Sequence, residues 1–360
     1  MKQKKRREPK VPRKRILSLQ LNLSKFRFLT DKEKKTADKM PEPTTFFRDS
    51  MKRFRRNPLG MLALVLLLLV LVLIISSLFF CPYSYDQILT VDGVRDVTAK
   101  NLAPLQYSEM EQEAIARGEK IFPHLFGTDE LCRDYFSRVM SGTRISLFVG
   151  VFAALIVLVI GSLYGSISGL AGGVTDLIMM RIVDIIYALP DMLLVILLSV
   201  VLGTIFPKNI GGLIGKLGTN MLSLFIVFAL LYWVGMARLV RGQILTIREN
   251  DYILAARMIR TPRGRMIRKH ILPNCISIIL ISATMQIPAA IFTESYLSFV
   301  GLGVQAPMPS LGALANSARS SMQMYPYKLI FPALMIALIV LSFNLLGDAL
   351  RDAFDPKQKQ

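Results

Sequence analysis

"DYILAARMIRTPRGRMIRKHILPN", residues 251–274, carries six Arg or Lys side chains yet lies between two long apolar runs. Charge this dense does not cross a bilayer, and the pattern is too regular for a slack connector. Tyr252, Ala255, Ala256 and Ile259 share one helical face, with Arg257 and Arg260 off it. Pro262 disfavours helical geometry at Thr261, and Gly264 permits a sharp turn. A second short helix from Arg265 then leads through "HILP" back into apolar sequence. The spacing predicts a compact helical knob, small-faced and basic-rimmed. A loop that only fixed topology would not need paired alanines and a punctuating turn, so the knob reads as a docking surface for another protein.

The flanking sequence sets the context. The 360 residues are 52% hydrophobic and carry a net charge of +19, at a mean hydropathy of +0.46. Greasy and charged stretches are segregated along the chain, which marks an all-α polytopic membrane protein and excludes an ordinary soluble enzyme. A helix rises about 1.5 Å per residue, so about 20 apolar residues cross the hydrocarbon. Six segments qualify: Leu59–Phe80, Ile145–Gly169, Ile182–Leu202, Met221–Ala237, Ile271–Thr293 and Leu329–Leu346. Only the first is an uninterrupted apolar run. It is too long and too far from the start for a cleavable signal peptide, and no small-residue cleavage site follows it.

Lys and Arg counts orient the spans. Residues 1–58 hold 20 basic against 6 acidic side chains, residues 81–144 hold 7 against 10, and residues 238–269 hold 9 against 2. Both termini and the opening fragment are therefore expected in the cytoplasm, with 81–144 an extracellular loop. Residues 1–45 read as a basic, disordered tail drawn to lipid headgroups, without any need for nucleic acid. Within it "LSLQLNLS" alternates like a half-buried strand that has no partner in sight. In residues 46–58, Phe46, Phe47, Ser50, Met51 and Phe54 share a face ringed by Arg48, Lys52, Arg55 and Arg56, as in an interfacial helix ahead of the first span. Residues 303–327, rich in Pro, Gly and Ser, read as a loop reachable from outside. Residues 351–360 form a short cytoplasmic tail.

Catalytic constellations are missing: there is no HExxH and no nucleophile elbow. "GGLIGKLGT" at 211–219 only glances at a phosphate loop, with Ile210 and Leu217 where Gly and Ser or Thr belong. The chain is expected to hydrolyse no nucleotide alone and to bind no metal, His124 and His270 being far apart. Cys81 and Cys132 are expected as free thiols, although a disulfide between them is conceivable. Asp184 invites a local pair with Arg181 three residues earlier. Asp191, after Pro190, and Glu294 are ionisable groups inside spans and are candidates for lining a water-filled path.

The opening fragment resembles the cytoplasmic EAA loop of ABC-importer membrane subunits, a Glu-Ala-Ala followed by a Gly four residues after the second Ala and a late Ile, Leu and Pro. Ala255, Ala256, Ile271, Leu272 and Pro273 match; Leu254 replaces the Glu and Arg260 stands at the Gly. "LFGTDELCRDYFSRVMSGTRISLFVG", "MMRIVDIIYALPDMLLVILL", "TESYLSFVGLGVQAPMPSLG" and "LSFNLLGDALRDAFDP" resemble the C-type permeases of dipeptide and oligopeptide importers, in the same order. The resemblance covers residues 46 to 356. It implies the type I importer permease fold, with a five-helix core over 145–350 and a coupling loop over 249–273. It implies a subunit that forms half a path with a B-type permease subunit. Two cytosolic ABC ATPases would carry the ATP and Mg and dock through Asp251, Tyr252, Ala255, Ala256, Arg257, Ile259, Arg260, Gly264 and His270. An extracellular substrate-binding protein would deliver peptide. Nickel, glutathione or oligosaccharide remain alternative cargoes, and a secondary transporter or channel is the reading from another class.

Overall fold

The computed structural model describes residues 46–205, 219–304 and 308–354. Packing divides the chain into residues 1–49 and 50–360, and of the first unit only the opening turn of one helix is described. The "LSLQLNLS" stretch and residues 211–218 lie outside the described residues.

The first helix, α1 (Phe46–Arg56), is followed by α2 (Pro58–Phe80). Asn57 caps α2, its side-chain oxygen accepting from the Leu59 and Gly60 amides at 3.0 and 3.2 Å, and Pro58 takes the first position, where no amide hydrogen is needed. Most of α2 remains exposed, as a lipid-facing helix must. Phe54 of α1 is not aimed at lipid: it is buried against Ala349 and Ala353.

Between α2 and the next span lies a small folded unit. It contains a hairpin of β1 (Thr90–Val91) and β2 (Val94–Arg95) in register Thr90 to Arg95, and a short helix α3 (Glu109–Ala116). Ser108 and Glu111 form a reciprocal capping box at the start of α3. Cys81 and Cys132 are free thiols.

The central helix α4 runs Tyr135–Ala171, ten residues earlier than its apolar run suggests. Its first turns are buried by protein and not by lipid, so they need not be uniformly apolar. The next expected span, Ile182–Leu202, is broken into α5 (Gly173–Tyr187) and α6 (Asp191–Ile205), bent by 86° around Pro190. The pair α7 (Thr219–Leu231) and α8 (Trp233–Ile247) forms one crossing of 27 residues from Met221 to Ile247. After α9 (Asp251–Met258) and α10 (Arg263–Met266), a π-helical turn over Ile267–Ile271 leads into α11 (Leu272–Val300). Then come α12 (Leu311–Ala318) and α13 (Tyr327–Phe354). Five helices are long and apolar enough to cross a membrane, six if the bent pair counts as one crossing.

Within 303–327, residues 311–318 form a packed helix, whereas Ser317, Arg319, Ser320 and Met322–Met324 are exposed. Leu311 and Leu314 of α12 are buried in a core shared by α2, α4, α11 and α13. Gly312 makes this possible, because any Cβ there would collide with the Ser295 carbonyl. A second core joins α4 and α8 to the loop between α8 and α11, through Val157, Val240, Ile244, Ile253, Met266 and Ile271.

Candidate coupling site

The loop between α8 and α11 folds as a helix, a tight reversal and a second helical turn. The Asn250 carbonyl accepts from Ile253 and Leu254 at 2.9 and 3.2 Å, opening α9. At the other end the Thr261 amide donates to the Ala256 carbonyl at 3.1 Å, a six-residue closure that requires a left-handed residue just before it. That residue is Arg260, with φ +53°. Arg260 therefore ends α9 and does not extend it, and it adopts the conformation for which the resembled pattern uses Gly. Gly264 is not the turn residue: it lies in α10, with open space where a Cβ would sit.

The two alanines face opposite ways. Ala255 is exposed, whereas Ala256 is 6% exposed and packs with Ile253, Met266 and Ile271 in this chain's own core. The expected shared face of Tyr252, Ala255, Ala256 and Ile259 thus loses Ala256, because Ile253 anchors the helix and turns the neighbouring stripe outward. The outward patch holds Tyr252, Ala255, Met258 and Ile259, the last two 85% and 79% exposed. Exposed Asp251, Arg260, Arg265 and Lys269 lie around it. An apolar patch with a charged rim is what a protein partner covers. Tyr252 is steadied by Asn274, whose Nδ2 donates to its hydroxyl at 3.1 Å and to the His270 carbonyl at 2.7 Å. His270 is half-buried in the π-helical turn. Arg257 lies within α9, and its side chain is outside the described set.

Ion pairs fix the base on which the loop stands. Arg241 grips Asp176 through two hydrogen bonds of 2.6 and 2.5 Å, and Ser168 adds a third to the same carboxylate. Fork-on-carboxylate geometry ties α8 to α5 beside the α4–α5 turn. Asp184 pairs chiefly with Arg238 at 2.7 Å, while the expected neighbour Arg181 is 3.9 Å away. Arg238 also stacks on Tyr187, 4.1 Å from the ring centre. The reason is geometric: α8 brings its guanidinium straight across the carboxylate, and a three-residue step along α5 does not. A cavity of about 750 Å³ opens between the α4–α5 turn and the loop, lined by Arg248, Glu249, Leu254 and Met266.

The two candidates for the path fare differently. Glu294 is 0% exposed and enclosed by this chain's own helices. Ser146 and Ser298 each donate to it at 2.8 Å, so within this chain it is a buried knot joining α4 to α11. Asp191 opens α6 at the 86° bend, and its side chain is outside the described set.

Sequence reasoning missed one further cluster. His124 is fully buried between two carboxylates, Nδ1 at 2.8 Å from Asp134 and Nε2 at 2.9 Å from Glu111. Burial works against its charge, but the hydrogen bonds and charges of Asp134 and Glu111 outweigh it and hold the imidazolium up to about 9. Asp134 also caps α4 at the Ser137 amide, 2.8 Å, so this charge fastens the 81–134 unit to the central helix. The readable signal was Ser108-x-x-Glu111, a capping box that places Glu111.

Comparison with known proteins agrees with this architecture. Residues 161–360 match the family described as the binding-protein-dependent transport system inner membrane component. Residues 45–104 match the N-terminal TM domain of oligopeptide transport permease C. The chain is 39% identical to the oligopeptide transport system permease protein OppC of Bacillus subtilis over 316 residues, 88% of this chain and 91% of that protein. It is 40% identical to the dipeptide transport system permease protein DppC of the same organism over 336 residues, 92% and 93% of the two chains. Against the glutathione transport system permease protein GsiD of Pectobacterium atrosepticum it is 42% identical over 236 residues, 66% and 73% of the two. The chain belongs to the family of binding-protein-dependent transport system inner membrane components, as a C-type ABC-transporter permease.

Proposed function

We propose that this chain is the C-type membrane subunit of an ATP-driven importer of di- or oligopeptides. It sits in the cell membrane with both termini in the cytoplasm and pairs with a B-type permease subunit to form the path. Two cytosolic ATPases, which carry the ATP and Mg, dock on the 249–273 loop, and an extracellular binding protein delivers peptide to the 81–134 side. The observation that carries this reading is the patch of Tyr252, Ala255, Met258 and Ile259, held out from the bundle by Ile253 and Ala256 beneath it. The positive-inside bias of residues 1–58 and 238–269 supports the orientation. The names of its OppC and DppC relatives support the cargo class. The glutathione relative favours a second reading in which the same machine carries a modified tripeptide.

The test is purification in mild detergent followed by identification of the accompanying chains and reconstitution. Two ATPase subunits and a second permease should co-purify, and peptide uptake should need ATP and the binding protein. Uptake by this chain alone without ATP overturns the importer reading.

A further inference from the structure

Arg144 stands ten residues into the numbering of α4, counting Tyr135 as the first, where the helix leaves the 81–134 unit for apolar surroundings. Its guanidinium is half-buried and donates from Nη2 to the Ser141 hydroxyl at 2.7 Å. Among the described residues no carboxylate forms an ion pair with it. Neighbouring Arg138 differs, facing Asp129 at 3.5 Å. A cation at the edge of the hydrocarbon without an acid is costly unless something polar visits it.

The surroundings are concave. Arg144 opens into a cavity of about 310 Å³ walled by Tyr85 from the 81–134 unit, Phe148 from α4, Met221 from α7 and Met308 from the segment before α12. Four separate parts of the chain therefore build it, unlike the exposed and almost entirely apolar surface of the single helix α2. Below Arg144 the same face continues one helical turn at a time with Phe148 and Phe152, 48% and 39% exposed. The two rings stack 5.8 Å apart, and Phe152 leans on buried Phe225 at 4.5 Å. Methionine and aromatic walls accept side chains of many shapes, whereas a guanidinium fork suits a planar or tetrahedral oxyanion, the carboxylate of a peptide or the phosphate of a lipid.

We propose that Arg144, with the Tyr85, Phe148, Met221 and Met308 walls, forms an entry site for the carboxylate end of a peptide leaving the binding protein. The site rests on the importer reading above and adds a determinant of cargo chemistry within the permease. Ser141 holds the guanidinium ready, and the Phe148–Phe152 ladder receives the side chains behind the carboxylate. The mouth thereby recognises an end common to all peptides and leaves the sequence unread.

The experiment uses the assembled importer in proteoliposomes, with its binding protein saturated by either trialanine or trialanine amide. Wild type should import the free acid faster than the amide. In Arg144→Gln that preference should fall by roughly ten- to hundredfold, the worth of a hydrogen-bonded charge contact. Arg144→Lys, which keeps the charge without the fork, should give an intermediate preference, and it carries the test if Arg144→Gln fails to accumulate. Phe148→Ala should slow both forms and leave their ratio unchanged. Equal uptake of acid and amide by wild type overturns the proposal. So does an Arg144→Gln that slows both forms alike, the mark of a lipid-headgroup anchor. Wild-type vesicles without any ATP-dependent uptake refute instead the importer reading on which the site rests.

Discussion

Raising the pH should unfasten the 81–134 unit before it disturbs the membrane helices. His124 is sealed between Glu111 and Asp134, both of which accept from its ring, so the ring must carry both protons. Its ordinary value of 6.5 is raised to about 9, despite burial, by bonds and charges from the two acids. A raised value on a base stabilises the fold fully below 6.5 and loses that stabilisation as pH climbs through 9. The span of roughly 2.5 units at ~1.4 kcal/mol each corresponds to about 3 kcal/mol. Cys81 is pushed up to about 11 by burial, and burial lifts Tyr83 further, so neither titrates in this window. Hydrogen exchange over residues 96–134, corrected for intrinsic base catalysis, should show opening become roughly a hundredfold easier between pH 6.5 and 9.5. His124→Gln should remove the pH dependence and leave the unit loosened at neutral pH, with two carboxylates short of a cation. An opening free energy that is the same at both pH values, or unaltered pH dependence in His124→Gln, would refute the reasoning.

The remaining predictions concern the loop and its base. Ala256→Leu should overpack this chain's own core by ~1–3 kcal/mol and lower membrane yield, whereas Ala255→Leu should leave yield intact and reduce ATPase co-purification. The opposite pattern would return Ala256 to the docking face. Arg260→Gly should relieve about 1 kcal/mol of left-handed strain and raise the thermal stability of the complex, while Arg260→Val should lower it. Asp176→Asn should weaken the grip of Arg241 by about 2 kcal/mol, seen as easier proteolysis of the α4–α5 turn; an unchanged cleavage rate would assign the anchoring elsewhere.

What the residue pattern disclosed follows from which forces act locally. Leu59–Phe80 was legible almost to the residue because lipid demands apolar side chains on every face. The start of α4 was not, since Tyr135–Met140 pack against α2, α11, α12 and α13 of the same chain, so this stretch can mix Ser and Arg with Val and Met. Pro190 interrupts the third span, but a proline alone does not set the extent of the bend, 86°, which depends on what the two halves pack against. Residues 252, 255, 256 and 259 form one stripe, and 253 and 256 belong to another. Local spacing cannot say which of two overlapping stripes is buried until α8 and α11 are in place. The Asp184–Arg238 and Asp176–Arg241 pairs join residues more than fifty positions apart, beyond any periodicity.

Gly161, Gly165 and Gly169 recur every fourth residue along the face of α4 that meets α8. A Cβ at Gly161 would stand 2.6 Å from the Met236 Cβ, one at Gly165 would strike the Ala237 carbonyl, and one at Gly169 would stand 2.9 Å from Ile244. At these three positions α4 contributes no side chain, so its backbone meets the α8 backbone at Ala237 and the inner atoms of Met236, Val240 and Ile244 directly, which leaves the seam little room to give. Mechanically the seam is a splint. A push delivered to the loop after α8 is therefore expected to tilt α8 and α4 together, as a stiff beam, before it slides one along the other. Movement near Ile247 should then reach the far end of α4, beside Arg144 and the His124 fastening.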